Sequence, residues 1–116
     1  MSVIQEVALN RLLPLQKRYR NTWIYDSVVT LGDEVGLILH NTRIVRIDAE
    51  GNVRLNSGGW RTVTTKRRMN EALEALGLDV SVYQEAFVWY TWALDDDLED
   101  SVTFVDDAIV GQVSRG

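Results

Sequence analysis

The sequence predicts an α+β fold, mainly an antiparallel sheet with one or two helices packed on a face. Apolar residues recur with a helical period in only two segments. In most of the remaining chain apolar and polar residues alternate with a period of two, and turn residues separate these alternating segments at short intervals. Short turns join antiparallel strands, whereas a doubly wound parallel sheet would need more helices. We expect the 116 residues to form a single domain, with an N-terminal helix at about 3–13 and a sheet-and-helix core at about 19–110.

The N-terminal helix is predicted by its cap and by its apolar face. The sequence SVIQ, residues 2–5, has the serine and glutamine spacing of a capping box, in which two orphan N–H groups are satisfied reciprocally. Apolar residues then recur on one helical face at Ile4, Ala8 and Leu12. Because Pro14 has no N–H to donate, we expect this helix to end near Leu13.

Segments with alternating or continuous apolar residues predict the strands. They span residues 19–25, 35–40, 42–48, 53–56, 80–83, 87–92 and 101–105, with a further short strand in DDAIV at 106–110. Turn residues at 49–52 and 84–86 predict two hairpins, and the strand at 101–105 is expected at a sheet edge. The segment at 42–48 either continues the preceding strand after a bend at His40 and Asn41 or forms a separate strand.

The second helix is predicted by an apolar face. This face consists of Met69, Ala72, Leu73 and Leu76. Thr64 or Thr65 is the expected N-cap, and Gly77 is the expected left-handed residue after the last turn. The three cations at 66–68 would then lie in the first turn, where the helix dipole disfavours each exposed positive charge by about 0.3–1 kcal/mol.

The density of donors in SGGWRTVTTKRR, residues 57–68, predicts an anion site, because an anion bound at the helix start would offset the unfavourable positive charge. Glycines allow close backbone approach, threonines offer hydroxyl donors, cations contact phosphates, and tryptophan can stack on a base. The candidate residues are Gly58, Gly59, Trp60, Arg61, Thr64, Thr65, Lys66, Arg67 and Arg68. The stretch lacks the GxxxxGK[ST] spacing of a P-loop.

The same stretch also has a purely structural interpretation. Trp60 would then be a core anchor, a threonine would cap the helix, and the cations would pair with the acidic run DDDLEDSVTFVDD at 95–107. The charge distribution allows this pairing, since residues 1–68 hold 11 Lys/Arg and 6 Asp/Glu, whereas residues 69–116 hold 1 and 11. The two runs of opposite charge could face each other in the fold.

The acidic run supports a separate hypothesis, a protein-interaction surface. Its candidate residues are Asp95, Asp96, Asp97, Glu99 and Asp100. Such a surface would dock on a basic face of another protein, because charge complementarity speeds association. The run lacks the glycine and the ligand spacing of an EF-hand loop, so we predict no metal site there.

The composition excludes several kinds of chemistry. The chain has no cysteine, which removes disulfides, thiolate metal sites and cysteine nucleophiles. The single histidine, His40, ends an apolar run and is interpreted as a structural residue rather than a general base. No nucleophile–base–orienter set can be assembled, so we predict no enzymatic activity and no cofactor. The N-terminus does not resemble a signal peptide and no apolar run approaches ~20 residues, so we expect a cytoplasmic protein without a membrane segment.

Three segments resemble a family of small proteins encoded by tailed bacteriophages and prophages. They are LHNT at 39–42, SGGWRTVTTKRRMN at 57–70 and VYQEAFVWY at 82–90, which match the family patterns LHxT, SGGWxTxTTKxRxN and VYQxxxxWY. SVTFVDDAIV at 101–110 is similar to the closing VPFxDG segment of that family, with Asp107 in place of the glycine. The resemblance implies a phage-encoded protein that acts in the bacterial cytoplasm, and it transfers no catalytic residue.

We therefore expect a non-enzymatic phage accessory protein that binds an anionic partner, with nucleic acid as one class, at residues 57–68. The alternative is an acidic protein-interaction module that binds or inhibits a host or phage protein through residues 95–107. The net charge of −5 counts against nucleic acid unless the acids face away from the basic stretch. The aromatic strand at 87–92 and the edge strand at 101–105 leave a homo-oligomer open.

Overall fold

The structure, a computed structural model, describes residues 1–26, 32–93 and 101–114. Within these residues it contains the helices α1 (Val3–Arg18) and α2 (Val63–Ala75). The strands are β1 (Thr22–Tyr25), β2 (Val35–Leu39), β3 (Thr42–Ile47), β4 (Asn52–Leu55), β5 (Val80–Glu85), β6 (Val88–Ala93), β7 (Ser101–Thr103) and β8 (Ile109–Gln112). The predicted α+β fold class, rich in antiparallel sheet, is confirmed.

The strands form two antiparallel sheets, with the order β1-β2-β3-β4-β8 in the larger and β5-β6-β7 in the smaller. The two helices contact each other and β2, and α2 also contacts β3 and β5. Helix α2 therefore links the larger sheet to the smaller one. The core is formed by buried side chains of both helices and both sheets, among them Leu12, Leu73, Leu37, Val45, Leu55 and Trp89.

Charged side chains alternate with these core residues along the middle strands of the larger sheet. Arg46 and Arg54 are register partners across β3 and β4. Arg46 contacts Glu34 at 2.8 Å and Asp107 at 2.5 Å, and Arg54 contacts Asp48 at 3.2 Å. Much of the charge on the larger sheet is therefore paired within the chain.

Helix α1 begins as predicted but does not end at Leu13. The capping box at Ser2 and Gln5 is present, and the helix continues through Pro14 to Arg18. The prediction was wrong because tertiary packing overrides the break: Leu12 and Leu15 are both buried, while Pro14 faces solvent. The cost of a proline inside the helix is offset by keeping the apolar face intact on both sides of it.

Helix α2 begins earlier than predicted. Its N-cap is Thr62, whose hydroxyl accepts a hydrogen bond from the Thr65 N–H at 3.1 Å, so the assignment of the cap to Thr64 or Thr65 is corrected. Both of those threonines lie inside the first turn. The predicted residue after the C-terminal turn, Gly77, is confirmed by its φ of +78°.

The predicted strands are observed with shifted ends. His40, with φ +56°, and Asn41 form a tight turn between β2 and β3, which settles these as separate strands. The first predicted strand is shorter at its start because Asn21 accepts a hydrogen bond from the His40 N–H at 2.8 Å and belongs to a turn. The predicted turn at 84–86 moves to Ala86 and Phe87, because β5 extends to Glu85.

The C-terminal segment contributes one strand to each sheet. β7 is an edge strand of the smaller sheet, and β8 pairs with β4 at the edge of the larger sheet. Between them Asp107 has a φ of +69°, a left-handed conformation that favours glycine. None of the helices in the described ranges is long and apolar enough to cross a bilayer.

Candidate functional site

The loop that precedes α2 is held by the segment between β7 and β8. The Asp106 carboxylate accepts hydrogen bonds from the backbone N–H of Ser57 at 2.7 Å and from its hydroxyl at 3.3 Å. The Ser57 hydroxyl in turn accepts from the Gly59 N–H at 3.3 Å, and the Ser57 carbonyl accepts from the Trp60 N–H at 2.9 Å. The loop therefore has a defined conformation before it enters the helix.

The turn between β2 and β3 lies beside this loop. Gly58 packs against the side chain of Thr42, so the LHNT and SGGW segments are in direct contact. Together with the start of α2 they enclose a pocket of about 320 Å³. The pocket is lined by Leu39, His40, Asn41, Thr42, Ile44, Trp60 and Thr65.

Trp60 stands at the exposed side of this pocket, with 69% of its surface accessible. The structural interpretation of Trp60 as a core anchor is therefore wrong. The tryptophan that does fill the core is Trp89, which is 1% exposed and packs edge-on against Phe104 with ring centroids 5.5 Å apart. A large aromatic ring that gains nothing from burial within its own chain is available to a ligand.

The start of α2 presents its first N–H groups close to this pocket. Because Thr62 caps the N–H of Thr65, the N–H groups of Val63 and Thr64 at the first two helical positions have no helical acceptor. Both side chains are exposed, whereas the Thr65 side chain is buried and lines the pocket. Partial positive charge at this end of the helix favours an anion.

The earlier cap also moves the three cations out of the first turn. With Thr62 as the N-cap, Lys66, Arg67 and Arg68 occupy the fourth to sixth helical positions. The unfavourable interaction with the helix dipole falls off within the first turn, so much of the predicted penalty disappears. A bound anion is therefore not required to offset the positive charge of these residues at the start of the helix.

Arg68 points into the fold and is 4% exposed. Its guanidinium donates to Thr22 at 2.8 Å and to Glu71 at 3.3 Å, and it lies 3.3 Å from the centroid of the Tyr19 ring. With these partners it joins α2 to the end of α1 and the start of β1. Its inclusion among the phosphate-contacting residues is corrected, because a buried, paired guanidinium has no donor facing solvent.

Arg61 is held against Trp89, Phe104 and Asp106. Its guanidinium lies 5.0 Å from the Phe104 ring centroid and 5.7 Å from that of Trp89, and it is 3.9 Å from the Asp106 carboxylate. The predicted pairing of a cation in residues 57–68 with the acidic run at 95–107 is therefore observed for Arg61 and Asp106. Its side chain remains 40% exposed, but its position is fixed by the C-terminal segment.

Lys66 and Arg67 differ from the other two cations. Neither forms an ion pair with any of the residues that the structure describes, and Arg67 is exposed while Lys66 is half-buried. They follow directly on the first turn of α2. Neither side chain lines the pocket, but the two residues directly follow Thr65, which does.

The acidic run is divided by the structure. Asp95, Asp96, Asp97, Glu99 and Asp100 lie outside the described residues. Asp106 and Asp107 are described, and both are engaged: Asp106 with the 57–61 loop, and Asp107 with Asn56 at 3.0 Å and with Arg46. The hydrogen bond from Asn56 holds the pKa of Asp107 below its ordinary value, and the Arg46 charge acts in the same direction.

Five of the seven residues that line the pocket were not among the predicted site residues: Ile44 and the four residues of the LHNT segment, Leu39, His40, Asn41 and Thr42. His40 was interpreted as a structural histidine, but it is exposed and lies in the turn with Asn41 and Thr42 at the pocket wall. The sequence signal for the four residues at 39–42 is the LHNT segment, which matches the family pattern LHxT. No group of metal-binding side chains is formed by the parts of the chain that are described.

Comparison with known proteins gives one family. The model described as Kyanoviridae Gp96 protein matches residues 6–111, which include both segments that form the pocket. No curated protein and no solved structure matches the chain.

Proposed function

We propose that this chain, which belongs to the Kyanoviridae Gp96 protein family, a family of phage proteins, is a non-enzymatic binding protein for single-stranded nucleic acid. The binding site is the pocket between the β2–β3 turn and the start of α2. It would act in the cytoplasm of the bacterial host.

The observation that carries the proposal is the exposure of Trp60. The ring is 69% accessible although the loop beneath it is fixed by hydrogen bonds to Asp106. An exposed tryptophan on a loop of defined conformation provides a stacking surface for a base, and stacking of this kind contributes about 1–3 kcal/mol per base. Duplex bases are already stacked on each other, so a single strand is the form that can use this ring.

Phosphate contacts come from the adjacent helix. The N–H groups of Val63 and Thr64 and the side chains of Lys66 and Arg67 lie along one stretch of chain next to Trp60. Stacking and backbone neutralisation are the two elements of sequence-tolerant single-strand binding. The polar groups of His40 and Asn41 at the pocket wall can contact the edge of the stacked base.

The charge of the chain sets the expected strength of binding. A net charge of −5 opposes long-range attraction of nucleic acid, so Lys66 and Arg67, which have no ion-pair partner among the described residues, give a site of modest affinity. Neutralising two phosphates of a single strand predicts a slope of about −1.4 for log K against log salt. Raising the salt from about 50 to about 200 mM should then weaken binding about sevenfold.

Fluorescence anisotropy with labelled single-stranded DNA and RNA tests this proposal. Replacing Lys66 or Arg67 with Ala should reduce the magnitude of the salt slope by about 0.7 each. Arg54→Gln is the matched control, because it removes one positive charge from the larger sheet, where Arg54 pairs with Asp48. The control should keep the slope of the parent protein.

Two results would contradict the proposal: no binding at low salt, or binding that responds equally to Arg54→Gln and Arg67→Ala. The first result would favour the acidic alternative, a module that docks on a host or phage protein through residues 95–107. Of that run, Asp106 and Asp107 already have partners within the chain, so the alternative depends on residues 95–100.

A further inference from the structure

The smaller sheet presents an apolar knob at the tip of its β5–β6 hairpin. Phe87 is 93% exposed, and the next residue, Val88, is 40% exposed. Both residues of the turn have positive φ, +49° at Ala86 and +68° at Phe87. A two-residue turn of this kind favours glycine and asparagine, and a bulky side chain in a left-handed conformation is strained. The chain therefore holds a large aromatic side chain in solvent at a conformational cost.

The same sheet contributes to an apolar groove of about 450 Å³. The lining residues are Val80, Thr91, Val102, Thr103, Val105, Ala108, Ile109 and Val110. Three of these, Val102, Val105 and Ile109, are between 53% and 60% exposed, and none of the lining side chains is charged. The groove is separate from the pocket that contains Trp60, with no residue in common.

The knob and the groove lie at opposite ends of the hairpin. The groove includes Val80 at the start of β5, and Phe87 is seven residues further along the chain, a distance of roughly 23 Å at the rise of a β-strand. Two copies of the hairpin related by a two-fold axis, side by side and antiparallel, would place each tip at the other's groove. The contact would be isologous and closed, which is the commonest form of homo-oligomer.

Charge and area agree with a second copy as the occupant. Two chains that each carry a net charge of −5 repel, so a contact between them needs an uncharged surface. The turn residues Ala86 and Phe87 and the groove lining carry no charge, and the nearest charge to the turn is the exposed Glu85 before it. Burying two Phe side chains removes roughly 300–500 Å² from solvent. The exposed valine and isoleucine surfaces opposite them add a comparable area, which brings the total to roughly 600–1,000 Å², and the upper end of this range reaches the minimum of about 1,000 Å² for a specific interface.

We propose that the protein forms a two-fold symmetric dimer in which Phe87 of each copy inserts into the apolar groove of the other. The strained turn is retained because it presents the ring to the partner. All three residues of the edge strand β7 are exposed, and two of them, Val102 and Thr103, line the groove. The same contact therefore covers this edge strand.

Light scattering coupled to size-exclusion chromatography tests this inference on the full chain. The parent protein should have twice the mass of one chain, and Phe87→Asn should have the mass of one. Asparagine accepts a left-handed conformation better than phenylalanine. The Phe87→Asn variant should therefore lose the dimer and still fold. Phe87→Trp, which keeps an aromatic knob, should remain dimeric.

A mixing experiment separates the knob from the groove. Val105→Asp places a charge in the groove and leaves the knob intact, so this variant should also be monomeric by itself. A mixture of Phe87→Asn and Val105→Asp chains can form one intact contact, and it should contain a species of dimer mass that neither variant forms alone. A monomeric parent protein, a dimeric Phe87→Asn variant, or a mixture that stays monomeric would each overturn the inference. None of these outcomes depends on nucleic-acid binding at Trp60.

Discussion

Gly58 packs so closely on Thr42 that a Cβ atom at position 58 would lie 2.7 Å from the Thr42 Cγ2 and 2.9 Å from its Oγ1. The φ of Gly58 is +61°, so the position excludes a side chain for two independent reasons. This contact joins the β2–β3 turn to the loop before α2 and thereby forms the pocket beneath Trp60. The site depends on two segments that are distant in sequence.

The first prediction follows from a neighbouring glycine that provides a matched control. Gly59 also has a positive φ, +82°, but a Cβ there would meet nothing within 4 Å. Gly59→Ala should therefore cost only the left-handed strain, about 1–2 kcal/mol of unfolding free energy. Gly58→Ala should cost about 1–3 kcal/mol more, because the methyl group also overpacks the contact with Thr42.

Urea unfolding of both glycine variants measures this difference, and a Thr42→Ala background isolates its cause. Removing the Thr42 hydroxyl and methyl should bring the cost of Gly58→Ala close to that of Gly59→Ala. Equal costs in the parent background would contradict the account of how the pocket wall is packed.

Pro14 gives the second prediction. It lies inside α1 and faces solvent, so its ring makes the helix less stable without contributing to the core. Pro14→Ala should raise the unfolding free energy by about 2 kcal/mol. Alanine stabilises a helix interior by about 3 kcal/mol relative to proline, and the greater conformational entropy of the unfolded chain with alanine offsets about 1 kcal/mol of this gain. Thermal unfolding followed by circular dichroism checks the increase, and a lower midpoint would show that Pro14 has a role in packing.

The third prediction distinguishes two adjacent arginines. Arg68→Ala should destabilise the fold by about 2 kcal/mol, because it removes the charged hydrogen bonds to Glu71 and Thr22, although Glu71 keeps Arg18 and Tyr19 as donors. Arg67→Ala should change stability by less than about 0.5 kcal/mol, as expected at an exposed position that forms no ion pair with the residues the structure describes. The order should reverse for nucleic-acid binding measured under conditions in which both variants are folded.

The fourth prediction concerns acid sensitivity. Burial alone would raise the pKa of Asp48, but hydrogen bonds from the side chain and backbone of Asn52 lower it overall. Asp107 also has a lowered pKa, chiefly through Asn56. A carboxyl group with a lower pKa in the folded state stabilises the fold above its unfolded pKa, and this stabilisation is lost as the pH falls through the folded value.

Unfolding free energy should therefore decline as the pH is lowered from about 5 to about 3, and the Asp48→Asn/Asp107→Asn double variant should show a shallower decline. Urea titrations across this range provide the measurement. Glu50→Gln is the control for removing an exposed carboxyl group from the same hairpin, and it should leave the slope unchanged. Equal slopes for the parent and the double variant would contradict the assigned hydrogen bonds.

The sequence alone was sufficient for elements whose signals are local. The capping box at Ser2, the apolar face of α2 and the left-handed Gly77 depend on neighbours within one or two turns, and all were predicted correctly. Antiparallel topology followed from short turns between alternating segments. These features need no knowledge of which elements meet in three dimensions.

Features decided by tertiary packing were missed. Pro14 was placed beyond the helix because the burial of Leu15 could not be anticipated. Arg68 was assigned to the surface because its partners lie at the end of α1 and the start of β1, some 50 positions earlier in the chain. The contribution of His40 to the pocket required knowing that the LHNT turn lies against the SGGW loop.

The most direct test of the central claim compares two exposed tryptophans. Trp60 stands at the pocket and Trp23 lies on the edge strand β1, where it is 46% exposed. We predict that Trp60→Ala weakens binding of labelled single-stranded DNA by about 1–3 kcal/mol, or about 5- to 150-fold, while Trp23→Ala leaves it unchanged. Parent-like affinity of a folded Trp60→Ala variant would contradict the claim that the pocket between the β2–β3 turn and α2 is the binding site.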